Sequence, residues 1–158
     1  MANTETNQDK LKAIITLESD TVSEKTIRIP FEFTDLDSVP EGKLMDEYIT
    51  ITPLTVRSWF RVKPLLLAID PEDLQVIADI HTETFDPRIS EIMNKYDDVI
   101  LSIVCIGLHN KKSDPSTWFR DTLKDNCTWE DLRILLNAIL FRIGYNPFYK
   151  SIMTLKNM

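Results

Sequence analysis

"TWEDLRILLNAILFRIG", residues 128–144, is the stretch on which the reading of this chain turns. Placed on a helix at about 100° per residue, Leu132, Leu135, Leu136, Ile139 and Ile143 share one face. Ile134, Ala138 and Phe141 fall on nearly the opposite face, and Arg133 and Asn137 make the one clear polar strip. A helix closing one small core needs one apolar stripe, not two. The second face is therefore expected to meet a partner. Thr128 is the expected cap, with Asp131 as the carboxylate of a capping box. Gly144 is expected to stop the helix in the left-handed conformation.

Working outward, Asp-Pro occurs at 70–71, 86–87 and 114–115, each time before a helical pattern. An aspartate accepts the free N–H groups of a first turn, and proline at the first helical position gives up no hydrogen bond. Helices are expected over about 53–69, 71–80, 87–108, 115–125 and 129–143, with a short last one from Pro147. Thr52-Pro53 should open the first, and Pro64 should kink or split it. Toward the N-terminus, "KAIITLES" (12–19), "KTIRIPFEF" (25–33) and "EYITIT" (47–52) are β-branched or aromatic with partial alternation, and read as strands. Pro30 puts its strand at an edge or ends it. The fold class is α+β: a small N-terminal antiparallel sheet of about three strands, then a mostly helical body of five to six helices. Residues 1–10 are polar and expected to be disordered. Residues 11–158 read as one domain, because the single linker-like stretch, 34–46, lies inside the sheet region.

Bulk properties narrow the function. Of 158 residues, 43% are apolar and 27% charged, enough for a packed core. A net charge of −7 argues against nucleic acid as a partner, which a basic face normally meets. No hydrophobic signal region opens the sequence. The longest apolar run, "VILSIVCIGL" (99–108), is too short to span a bilayer and reads as the buried part of a helix. Two cysteines, Cys105 and Cys127, read as reduced thiols. No membrane partner is expected, and no cofactor.

Residues that could carry chemistry have plainer explanations. Cys105 and His109 are four apart, a spacing that can hold a metal, but two further ligands at matching spacing are missing. Cys105 sits in an apolar run, where a thiol behaves as a small hydrophobe. The acidic pairs Glu72-Asp73 and Glu130-Asp131 fall in first helical turns, where negative charge is favoured. Three glycines leave no phosphate-binding loop. No catalytic, cofactor or metal residue is assigned, and an enzyme is not expected. The aromatics say more. Trp59-Phe60, Trp118-Phe119, Trp129, Phe141, Phe148 and Tyr149 lie in or beside helices. They anchor a core or serve a protein interface, where such residues are enriched. Trp118 and Phe119 join Ile134, Ala138 and Phe141 as candidate partner-binding residues.

The order of parts "ITPLTVRSWFRVKPLLLAID", "YDDVILSIVCIGLHNKK" and "TWEDLRILLNAILFRIGYNPF" resembles tail assembly chaperones of long-tailed bacteriophages, particularly those of gut bacteria. The similarity spans roughly 47–155. The resemblance implies a non-enzymatic protein of the host cell cytoplasm that binds the tape measure protein and keeps it soluble during tail assembly, with self-association as a further possibility. It also implies that a longer frameshifted form can exist. The alternative is a permanent virion component, such as a connector, ring or tail-completion protein; a small enzyme or regulator is the third reading.

Overall fold

The computed structural model describes residues 26–79 and 86–142, the side chains of Phe141 and Arg142 excepted. Two short strands, β1 (Ile27–Pro30) and β2 (Tyr48–Ile51), pair antiparallel with Ile27 opposite Ile51 and Ile29 opposite Ile49. All four isoleucines are buried, while Arg28 and Thr50 on the other face are exposed. This is the period-two pattern of a sheet with one wet side. Pro30 ends β1, as its missing N–H requires. The expected strand over 12–19 lies outside the described residues.

Six helices follow among the described residues: α1 (Val56–Leu67), α2 (Pro71–Ala78), α3 (Pro87–Lys95), α4 (Asp97–His109), α5 (Thr117–Asn126) and α6 (Trp129–Arg142). The architecture is α+β, with two described strands where about three were expected. Several ends form as their residues dictate. Asp70 accepts the N–H of Glu72 and Asp86 that of Arg88, each ahead of a proline at the helix start. Thr128 and Asp131 exchange bonds of 2.9 and 3.1 Å, the reciprocal capping box.

Four expectations are corrected. Thr55, not Thr52, caps α1 by accepting the Ser58 N–H at 3.2 Å. Pro64 does not split α1; it is exposed, so the carbonyl it leaves without a helical donor can bond to water. Asp114-Pro115 does not cap α5, whose preceding residue is Ser116; Asp114 instead pairs with Arg61. The helix expected over 87–108 is two helices that meet at Tyr96. There the tyrosine hydroxyl donates to Asp73 at 2.7 Å and accepts the Asp70 N–H, tying the break to the start of α2. No glycine or proline marks that break, so a long-range bond decides it.

The buried side chains form one cluster from Ile27 to Leu140. At its centre α4 touches α1, β2, α3, α5 and α6. Helix α6 is buried from Leu132 to Leu140 without interruption. A helix that is apolar nearly all round belongs inside. The expectation of a spare face is thereby corrected: Ile134 is 3% exposed, Ala138 0%, and both are core residues. The side chain of Phe141, expected with them, lies outside the described residues, as does Gly144.

The polar strip of α6 is buried as well. Arg133 donates through Nε to the Ile77 carbonyl (3.1 Å) and through Nη2 to the Asp79 carbonyl (2.8 Å). Asn137 adds a second donor to Ile77 at 2.9 Å. The last carbonyls of a helix have no donor within it, so Arg133 and Asn137 finish α2 from outside.

Gly107 sets the α4–α6 crossing. A Cβ there would stand 2.7–2.9 Å from three side-chain carbons of Ile139, itself fully buried. Gly107→Ala gains about 1 kcal/mol of helix propensity and loses about 1–3 kcal/mol to overpacking. The expected result is a net loss near 1 kcal/mol in urea titration. In an Ile139→Ala background, where all three carbons are gone, the same change should stabilise. An unchanged sign would show that this contact does not limit the crossing.

Candidate functional site

Among the described side chains, α1 leaves three large apolar residues exposed, whereas α6 leaves Trp129, at 38%. Helix α1 buries Ser58, Val62 and Leu66 against α4. On its other side Val56 is 68% exposed, Phe60 64% and Leu67 77%. At about 100° per residue these three lie within about 40° of one another, in a stripe roughly 16 Å long. Isolated exposed apolar residues are ordinary; several aligned on one helix mark a contact surface.

The stripe is held in place from below. Asn110 ends α4 in the left-handed conformation, φ 50°, which asparagine tolerates better than most residues. Its side chain donates to Thr52 Oγ1 (2.9 Å) and the Pro53 carbonyl (2.8 Å), and accepts the Thr55 N–H (3.1 Å). The end of α4 thus fixes the start of α1. Arg61 reaches the other way, pairing with Asp114 and donating to the Ser113 carbonyl at 3.1 Å. The charged residues of α1 are Arg57, Arg61 and Lys63, all cations.

Trp118 and Phe119, expected as partner residues, pack edge to face with ring centroids 5.9 Å apart. Both are half-buried and line a hollow of ≈ 260 Å³ with Leu108, His109 and Lys111. Phe119 also packs against the core. These two are therefore in contact and partly accessible, whereas Ile134 and Ala138 are buried in the core. A larger cleft of ≈ 580 Å³ opens between α4, α5 and the start of α6. Leu101 and Leu132 line it beside the Asp98–Arg120 ion pair, Lys124 and Trp129. The loop between β1 and β2 is pinned to the end of α5. Asn126 accepts the N–H groups of Thr34 and Asp35, both at 2.9 Å, and donates to the Asp35 carbonyl.

The nucleophile candidates are quiet. Burial pushes the Cys105 thiol up to about 11 and the Cys127 thiol up to about 12, so neither holds a thiolate near neutral pH. His109 Nε2 is hydrogen-bonded to Ser113 Oγ at 2.9 Å. Among the described residues no group of three or more His, Cys, Asp or Glu side chains could hold a metal ion. Among them, too, no helix is long and apolar enough to cross a membrane.

Phe60 is among the aromatics expected to anchor a core or serve an interface, but Val56 and Leu67 were missed by sequence reading. Their signal was present, since "VRSWFRVKPLLL" is apolar on two sides. The same doubling in 129–143 belongs to a helix whose side chains from Leu132 to Leu140 are all buried. No known protein family, curated protein or solved structure matches this chain.

Proposed function

We propose that this protein is a non-enzymatic binder of apolar helical protein surface, acting as the phage tail assembly chaperones it resembles act on the tape measure protein. The exposed stripe of Val56, Phe60 and Leu67 is the observation that carries this reading. It lies inside "ITPLTVRSWFRVKPLLLAID", one of the three stretches on which the resemblance rests. An amphipathic helix laid along α1 would bury its own apolar residues against these three. Each side chain covered contributes at most about 1.5–3 kcal/mol, and the entropy of association removes much of that sum. One site is therefore weak and reversible, as a chaperone that must leave requires. Many copies along one long client would hold it by avidity. The net charge of −7 would keep such a coated client soluble.

The test is a pull-down from infected cells with the full chain and with Phe60→Asp/Leu67→Asp. Both positions are exposed, so the double variant should keep its melting temperature within a few degrees. The expected result is one very long helical protein with the parent chain and none with the variant. Recovery of that protein by both chains would move the site away from α1. Recovery by neither would remove the chaperone reading. Stoichiometric presence of the chain in purified virions would replace it with a permanent virion component.

A further inference from the structure

We infer that the helix seated on α1 is acidic: its carboxylates meet Lys63 and Arg57 while its apolar residues cover Val56, Phe60 and Leu67. The inference rests on α1 being the docking surface and adds the chemistry of what docks there. Val56, Phe60, Lys63 and Leu67 follow one another at spacings of four, three and four. That is the seam of a helix pair, with apolar residues at three of its four positions and a lysine at the fourth. Arg57 occupies a flanking position, where ion pairs between paired helices form. It also lies in the first turn of α1, where its charge adds to the positive end of the helix dipole instead of offsetting it.

Both cations are available. Arg61, the third, is taken by Asp114, whereas neither Arg57 nor Lys63 enters an ion pair among the described residues. A helix with lysines at the facing positions would meet like charge, and one with carboxylates would not. The overall negative charge does not prevent this, because repulsion from distant groups is screened beyond about 8 Å at physiological salt. The same geometry disfavours a second copy of this chain as the occupant. A two-fold axis through the middle of the stripe would place Lys63 of one copy near Lys63 of the other.

Two synthetic amphipathic peptides of about three heptads decide the matter, both with leucine along the seam. One carries glutamate at the flanking positions, the other lysine, and binding to the full chain is followed by fluorescence anisotropy. The glutamate peptide is expected to bind roughly tenfold more tightly at low salt, with the gap narrowing as salt is added. Arg57→Glu/Lys63→Glu is expected to reverse the order, and Phe60→Asp/Leu67→Asp to abolish binding of both peptides. Equal binding of the two peptides, or tighter binding of the lysine peptide, overturns the acidic assignment. So does a dimer in sedimentation equilibrium that Phe60→Asp dissolves, because α1 is then covered by a second copy. Failure of both peptides to bind also overturns it. The proposed function survives any of these results if the long client is still recovered from cells in a manner that depends on Phe60 and Leu67.

Discussion

Leu136→Asp is expected to leave no cooperatively folded protein at 25 °C. Leu136 is fully buried in the middle of α6, with buried residues on both sides of it in sequence and all around it in space. Truncating a buried leucine alone costs about 2–5 kcal/mol. A carboxylate at the same point must either stay charged without a partner or take up a proton, and each unit by which its pKa rises costs a further 1.36 kcal/mol or so. The sum approaches or exceeds the roughly 5–15 kcal/mol that holds an ordinary domain together. Leu136→Met, which conserves volume, should cost less than about 1.5 kcal/mol and serves as the control. Circular dichroism melts read both. A sharp transition for Leu136→Asp within a few degrees of the parent would mean that α6 is not the centre of this core.

Arg133→Ala should cost about 3–5 kcal/mol, an effect no exposed arginine produces. Arg133 is fully buried. Its guanidinium serves the Ile77 and Asp79 carbonyls and pairs through Nη1 with Glu130 at 3.3 Å. Removing it takes a donor from each of these acceptors and leaves a void where the largest buried side chain stood. Arg133→Lys should recover little, since a single ammonium cannot reproduce a planar fork that reaches two carbonyls and a carboxylate together. Urea titration of the three proteins checks the order. If the lysine variant matched the parent, charge alone would matter and the fork geometry would not.

How much of this was legible beforehand differs by element. The caps at Asp70, Asp86 and Thr128 were readable because a capping bond spans two or three residues. That Ile27 and Ile29 share a buried face follows from alternation, which needs only the strand's own residues; that β1 pairs with β2, with Ile29 opposite Ile49, is a long-range choice that alternation does not specify. The break at Tyr96 was not readable, because its hydroxyl bonds to Asp73, 23 residues away. The burial of Ile134 and Ala138 and the exposure of Phe60 and Leu67 were equally hidden. Helices α1 and α6 are each apolar on two sides, and periodicity measures the width of an apolar surface without saying what lies against it.

By itself, then, the sequence determined the class of fold, most helix positions, which residues of a strand share a face and the presence of more apolar helical surface than one stripe per helix needs. These depend on local geometry and on periods of two and 3.6, which any chain carries in its order of residues. Only the tertiary structure decided where the surplus lies. Helix α6 is enclosed because α3, α4 and the end of α2 surround it, and Arg133 and Asn137 find carbonyls there. Helix α1 sits at the margin, with α4 behind it and its other side left open. Burial is a property of neighbours, and the neighbours of a helix are chosen by the whole chain.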